Sequence, residues 1–177
     1  ANTSSTLALL RTADKIVIDE VAYSSKWHAH SVKNVKGVAL ERIDPDAATQ
    51  DAANWTSASE TVGYGTPGYQ NSQYKDASSG GATGIEPPVW IEESGSYTVS
   101  YLLDRPGYSC RAFVFNTSGL RVADISNHEL LGISGKITWS GVANNGSPLQ
   151  TGVYIFYAEI YHPEGTVKRF KKAFLIR

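Results

Sequence analysis

The sequence predicts an all-β protein built from two small β-sandwich (immunoglobulin-like) modules joined by a linker. Short runs of alternating apolar and polar residues recur along the chain, turns rich in Gly, Asn and Pro separate them, and no segment shows the apolar spacing of a long helix. A polar stretch with Gln70-Asn-Ser-Gln73, Ser78-Ser-Gly-Gly81 and Pro87-Pro88 has no apolar period and reads as the joint. The expected layout is a β module over 1–72, a linker over 73–88 and a β-sandwich over 89–177.

In the first module Ile16 and Ile18 form one face of a strand, Leu40 and Ile43 anchor a second, and Thr66-Pro-Gly68 is a turn. The second module is clearer. Tyr97, Val99, Tyr101 and Leu103 alternate with Thr98, Ser100 and Leu102, which marks one buried face before a turn at Asp104-Arg-Pro-Gly107. Phe113 and Phe115 alternate with Ala112 and Val114, and Asn116-Thr-Ser-Gly119 is a hairpin turn into the strand at 120–125. Ile137 and Trp139 form a short strand, 142–148 is a polar turn containing Asn145-Gly146, and 153–161 is apolar on both faces, as a central or covered strand is. His162-Pro-Glu-Gly165 turns the chain into a last strand in which Phe170, Phe174 and Ile176 share a side. About seven short strands in this region imply a sandwich.

Composition narrows the class further. With 177 residues and 41% apolar content the chain can bury one large core or two small ones. Its net charge of −1 supplies no field that would gather nucleic acid. No uninterrupted apolar run approaches the ~20 residues needed to span a bilayer, so no membrane insertion is expected of this chain. The absence of methionine and the start at Ala1 point to a processed or excised chain whose targeting signal is gone, as in a secreted protein of a Gram-negative bacterium. The single cysteine, Cys110, has alternating apolar neighbours Ala112 and Val114 and reads as a buried structural thiol.

Two resemblances follow from particular residues. Trp139-Ser-Gly141, Asn144-Asn-Gly146, Gly152-Val-Tyr154 and the closing strand with Lys171-Lys172 resemble the immunoglobulin-like domain of flagellar hook-capping proteins, a module that recurs at the C-termini of secreted Bacteroidetes proteins. Ser140 stands where that family usually has Asp. The 85–94 segment lacks the Asp-rich opening of many relatives, so no calcium site is implied. In the first half, the segment from Lys15 to Tyr23, the one from Gly37 to Ile43, Asn54-Trp55 and Gly65-Thr-Pro-Gly-Tyr-Gln-Asn71 resemble the closing part of a bacterial lamin-tail domain, without its opening strands. A sandwich lacking strands exposes unpaired edges, so this part is expected to pack on the second module or to pair with another copy of itself.

Candidate sites are weighed against plainer readings. Trp27-His-Ala-His30 would place His28 and His30 on one side of a strand, but two imidazoles are an incomplete metal site and read as exposed loop residues. His128 and His162 read as solvated turn residues. Asp19-Glu20, Asp44-Pro-Asp46 and Glu92-Glu93 are carboxylate pairs without a cleft to set their separation, and Asp44-Pro-Asp46 reads as a turn. No nucleophile-elbow, phosphate-loop, dinucleotide or zinc-protease motif occurs, so no catalytic residue, metal or cofactor is assigned. Aromatic side chains remain: Trp55, Trp90, Trp139, Tyr154, Tyr157 and Tyr161 suit sugar stacking or domain docking. Trp139 reads as core. Tyr157, opposite the Tyr154, Phe156 and Ile160 face, is the best interface candidate. The basic strand puts Lys168 and Lys172 on one side and Arg169 and Lys171 on the other, as a charged edge that resists aggregation or as a contact for an anionic partner.

The function expected is therefore a noncatalytic secreted or cell-surface adhesion and scaffold module, located outside the cell or at the periplasm and outer membrane. Its expected partners are other protein domains or another copy of the chain, with polysaccharide second. A carbohydrate-binding module is the first alternative. An accessory region of a larger secreted hydrolase is the second, because the terminal Gly-x-Tyr strand, Gly turn and Lys-Lys strand also resemble C-terminal sorting domains of type IX secretion.

Overall fold

In the computed structural model, which describes residues 3–75 and 82–177, the alternating segments fold as strands and the described residues contain no α-helix. The chain is all-β. In the first half, β1 (Ser4–Leu10) and β2 (Val17–Ser24) form an antiparallel hairpin, and β3 (Leu40–Arg42) pairs with β4 (Trp55–Ser57). The second half follows as β5 (Gly84–Ile85), β6 (Val89–Ile91), β7 (Ser96–Leu102), β8 (Ser109–Asn116), β9 (Arg121–Leu130), β10 (Ser134–Trp139), β11 (Gly152–Tyr161) and β12 (Val167–Ile176).

Two sheets build this half. One runs β12-β11-β8-β9; the other runs β10-β7-β5, with β6 also paired to β7. The inward side chains of both meet in one core: Tyr97, Val99 and Tyr101 of β7 face Cys110, Ala112 and Val114 of β8 and Phe156, Ala158 and Ile160 of β11. Phe174 and Ile176 extend it along β12. Each such large apolar side chain contributes on the order of 1.5–3 kcal/mol when fully buried. Cys110 is fully buried and its thiol is pushed up to about 12, first by desolvation and then by the charge of Glu129, so it is packing material.

The strand that is apolar on both faces is central, between β8 and β12, but its outer side is not buried: Val153 is 52% exposed. The Trp139-Ser-Gly141 to Pro148 pattern is turn chemistry. Trp139 lies partly buried against Tyr97 and Phe174, and its indole donates to Val142 O at 2.9 Å. Gly141 has φ +81°, and a Cβ there would lie 3.3 Å from the Tyr97 ring. Asn144 ties the turn to β9: its amide N–H donates to Val122 O and its side-chain oxygen accepts from Asp124 N at 2.8 Å.

Of the stretch expected as a linker, residues 76–81 lie outside the described residues. Its flanks contribute buried residues. Gln73 is fully buried, its amide donating to Ser57 O at 3.0 Å and Leu131 O at 3.1 Å, and Ile85 of β5, paired with Tyr101 of β7, is 1% exposed. Polar composition misleads at Gln73 because its carboxamide replaces main-chain partners on both halves. Around it, Ser59 Oγ donates to Leu130 O at 3.0 Å, Ile133 N donates to Ser72 O at 2.9 Å, and Thr61 meets the Tyr101 hydroxyl at 3.3 Å. The loop 59–73 therefore packs on the β9–β10 connection. Strand β1 stays exposed throughout, while β2 is partly covered.

Candidate functional site

The candidate site is the outer face of the β12-β11-β8-β9 sheet. Strand alternation turns Phe113 and Phe115 of β8 and Ile155 and Tyr157 of β11 outward, and pairing fixes who meets whom. Tyr157 lies between Phe113 on β8 and Lys171 on β12; Glu159 lies between Arg111 and Arg169. Tyr157 stacks on Phe113 with ring centres 6.4 Å apart and planes at 12°, and meets Phe115 edge-on at 6.3 Å. Both are favourable aromatic geometries.

Cations border this slab. The Arg121 guanidinium lies 3.8 Å from the centre of the Phe113 ring and Arg111 lies 5.3 Å from it, which explains why Phe113 is only 8% exposed on an outer face. Arg121 also pairs with Asp124, and that contact, then the Asn144 amide, holds the Asp124 carboxyl below its usual range against a desolvation penalty. Arg169 pairs with Glu159 at 2.8 Å. Phe115, Gly119, Ile155, Tyr157 and Lys171 enclose a shallow depression of about 310 Å³. Beside it Val153, Ile155 and Leu175 are exposed. Apolar centre and charged rim is the anatomy of a protein-docking face.

The five residues singled out in the sequence do not form one surface. Tyr157, Lys171 and Arg169 share the outer face. Lys168 is turned the other way, where its ammonium donates to Thr83 Oγ1 at 2.7 Å and Asp104 Oδ1 at 3.0 Å and lies 5.6 Å from the Tyr108 ring centre. Asp104 is held well below the usual carboxylate range, by the Thr83 hydroxyl first and then by Lys168. That pair closes the sandwich edge. Lys172 lies on the same inward side, between Phe170 and Phe174. Phe113, Phe115, Arg111 and Arg121 complete the site and were not singled out; the alternation of the two phenylalanines was visible, but only the β8–β11 register places them beside Tyr157 and only the β8–β9 pairing brings Arg121 there.

The other candidates go elsewhere. His28 is half-buried with Nδ1 2.9 Å from Ser57 Oγ, and burial lowers its pKa; His30 is exposed. The pair follows a 3-10 turn (Ser25–Trp27) and is not on a strand, so their side chains do not share a strand face. No group of three metal-ligating side chains occurs among the described residues. His162, expected to be solvated, has a side chain only 13% exposed and packs edge-on to Tyr108 at 5.2 Å. Asp44-Pro-Asp46 is a turn in which Asp46 N donates to Asp44 Oδ1 at 2.8 Å. Glu92 and Glu93 line a cleft of about 940 Å³ with Trp90 and Tyr97, whose rings meet at 62° and make no coplanar platform.

No family model matches the chain, and no curated protein does. Among the solved structures similar to it are two bacterial proteins. One is FlgD from P. aeruginosa, at 17% identity and a TM-score of 0.40, covering 51% of this chain and 69% of that one. The other is PorZ of Porphyromonas gingivalis, described as an essential bacterial surface component of the type-IX secretion system, at 16% identity and a TM-score of 0.33. That likeness covers 59% of this chain and 13% of PorZ.

Proposed function

We propose that the chain is a noncatalytic secreted or cell-surface scaffold module that docks another protein domain through the outer face of the β12-β11-β8-β9 sheet. The observation that supports this is the aromatic slab of Tyr157, Phe113 and Phe115, bordered by Lys171, Arg121 and the exposed side chains of Val153, Ile155 and Leu175. Aromatic residues and arginine concentrate binding energy at protein interfaces. In the layout that goes with this reading, modules 1–72 and 89–177 act together, since loop 59–73 braces the second against the first.

Crosslinking on intact cells of the source organism tests it. Lys171 should crosslink to one protein, and the Tyr157→Ala, Lys171→Glu double variant should bind that protein at least tenfold more weakly. Unchanged binding by the double variant would remove this face from consideration. Release of the chain only after cell lysis, and not by protease treatment of intact cells, would remove the surface assignment.

A carbohydrate-binding reading is favoured by one feature, the half-exposed Trp90 beside Glu92 and Glu93 in the 940 Å³ cleft. Quenching of tryptophan fluorescence by an oligosaccharide, lost in Trp90→Ala, would support it; a blank glycan array would end it.

A further inference from the structure

The β1–β2 hairpin is the least buried part of the fold. Every residue of β1 is exposed, Leu7 and Leu9 by 61% and 60%. A two-stranded hairpin is marginal in water by itself and needs further strands or a packed face. Its two edges differ. On β2 the Gln50 carboxamide accepts from Ala22 N at 3.2 Å and donates to Glu20 O at 2.7 Å, occupying the main-chain pair that a neighbouring strand would use.

On β1 the edge is open. Ser25 N donates to Thr3 O at 2.7 Å, and the β1–β2 register then makes Ser5, Leu7 and Leu9 the residues bonded to β2. The N–H and C=O groups of Ser4, Thr6 and Ala8 point to the outer side, where no strand pairs among the described residues. Native edges are blunted by charge, proline or bulges. β1 carries no charge and no proline, and its one register irregularity falls at its end, between Leu9 and Leu10.

We propose that the open edge of β1 pairs antiparallel with β1 of a second copy of this chain, giving a four-stranded β2-β1-β1-β2 sheet across a two-fold axis. An uncharged strand meets its own copy without like-charge repulsion, whereas nothing on it selects a charged partner strand. Register supports the same occupant. Pairing all seven residues sets Leu7 against Leu7 of the second copy and Thr6 against its Ala8, so outward main-chain groups meet outward ones. A shift of one residue would set them against inward groups. In the matched register Leu7 and Leu9 of both copies form one apolar strip flanked by Val21, a self-complementary interface. This surface is separate from the sheet face assigned to the docking partner.

Leu7→Cys tests the pairing, since residues in the non-hydrogen-bonded position face each other at about 4.5 Å between Cα atoms. Mild oxidation should yield a disulfide-linked dimer, while Leu9→Cys, opposite Ser5, should not; Cys110 is fully buried and stays out of the reaction. Thr6→Pro removes an outward N–H without touching the bonds to β2, so it should weaken dimerisation about tenfold or more in sedimentation equilibrium, with the far-UV spectrum unchanged. Amide exchange at Thr6 and Ala8 should slow as protein concentration rises. A monomer at several hundred micromolar overturns the proposal. So does equal crosslinking at positions 7 and 9, a dimer indifferent to Thr6→Pro, or concentration-independent protection of those amides.

Discussion

Glu41 is a carboxylate only 3% exposed, and it is tolerated because three donors reach it: Thr66 Oγ1, Ser72 Oγ at 2.7 Å and Gln73 N at 3.1 Å. It folds the 66–73 loop around itself. Glu41→Ala leaves those donors unpaired in the interior and should cost roughly 1–3 kcal/mol, read as a lower urea midpoint. A midpoint unchanged from the parent protein would mean water replaces the carboxylate freely. Cys110 makes a second prediction. The folded thiol titrates at about 12, above its unfolded value, so the native state keeps a proton that the unfolded chain loses. Its contribution is fully present below the unfolded pKa and declines by about 1.4 kcal/mol per pH unit between about 9 and 12. Comparing urea midpoints of the parent and Cys110→Ala at pH 7 and pH 10 isolates this one group; parallel pH dependences would contradict it.

Elements are set by alternation and by their turns. The 140–148 turn requires Gly141 in the left-handed region, beside the Tyr97 ring. Gly141→Ala should therefore cost about 1–2 kcal/mol in thermal or urea unfolding, and a neutral effect would mean the turn has another conformation available. The same local logic made β7, β8 and β11 legible in the sequence, because period-two patterns and Asn-Gly or Pro-Gly turns act within a few residues. It failed where a side chain replaces the backbone. Gln73 looked like a linker residue, since nothing nearby in sequence reveals the distant carbonyl groups it satisfies. On the outer face of the β12-β11-β8-β9 sheet, Tyr157 and Lys171 were legible by alternation. Phe113 gained its role only from its cross-strand partner, and Lys168 lost its role to Asp104 and Thr83, its partners across the fold.

At the scale of the molecule, the two halves meet where Gly132 passes Ser72. A Cβ on Gly132 would lie 2.5 Å from Ser72 O, a main-chain atom that cannot swing away. Gly132→Ala should separate the loop from the β9–β10 connection and lower stability by about 1–3 kcal/mol, the range for forced overpacking. The change should also turn a single unfolding transition into two, visible as non-coincident probes of the Trp55 and Trp139 environments. Coincident transitions in the variant would show that the halves do not depend on this contact.

By itself the sequence determined an all-β chain, the places of most strands and turns, a buried thiol and a basic last strand. Those properties follow from neighbours a few residues away. Only the tertiary structure decided which outward side chains meet across neighbouring strands, which basic residues stand beside Tyr157, and that Gln73 is interior. Each of those depends on strand register and on hydrogen-bond partners tens of residues distant, and neither has a local signature.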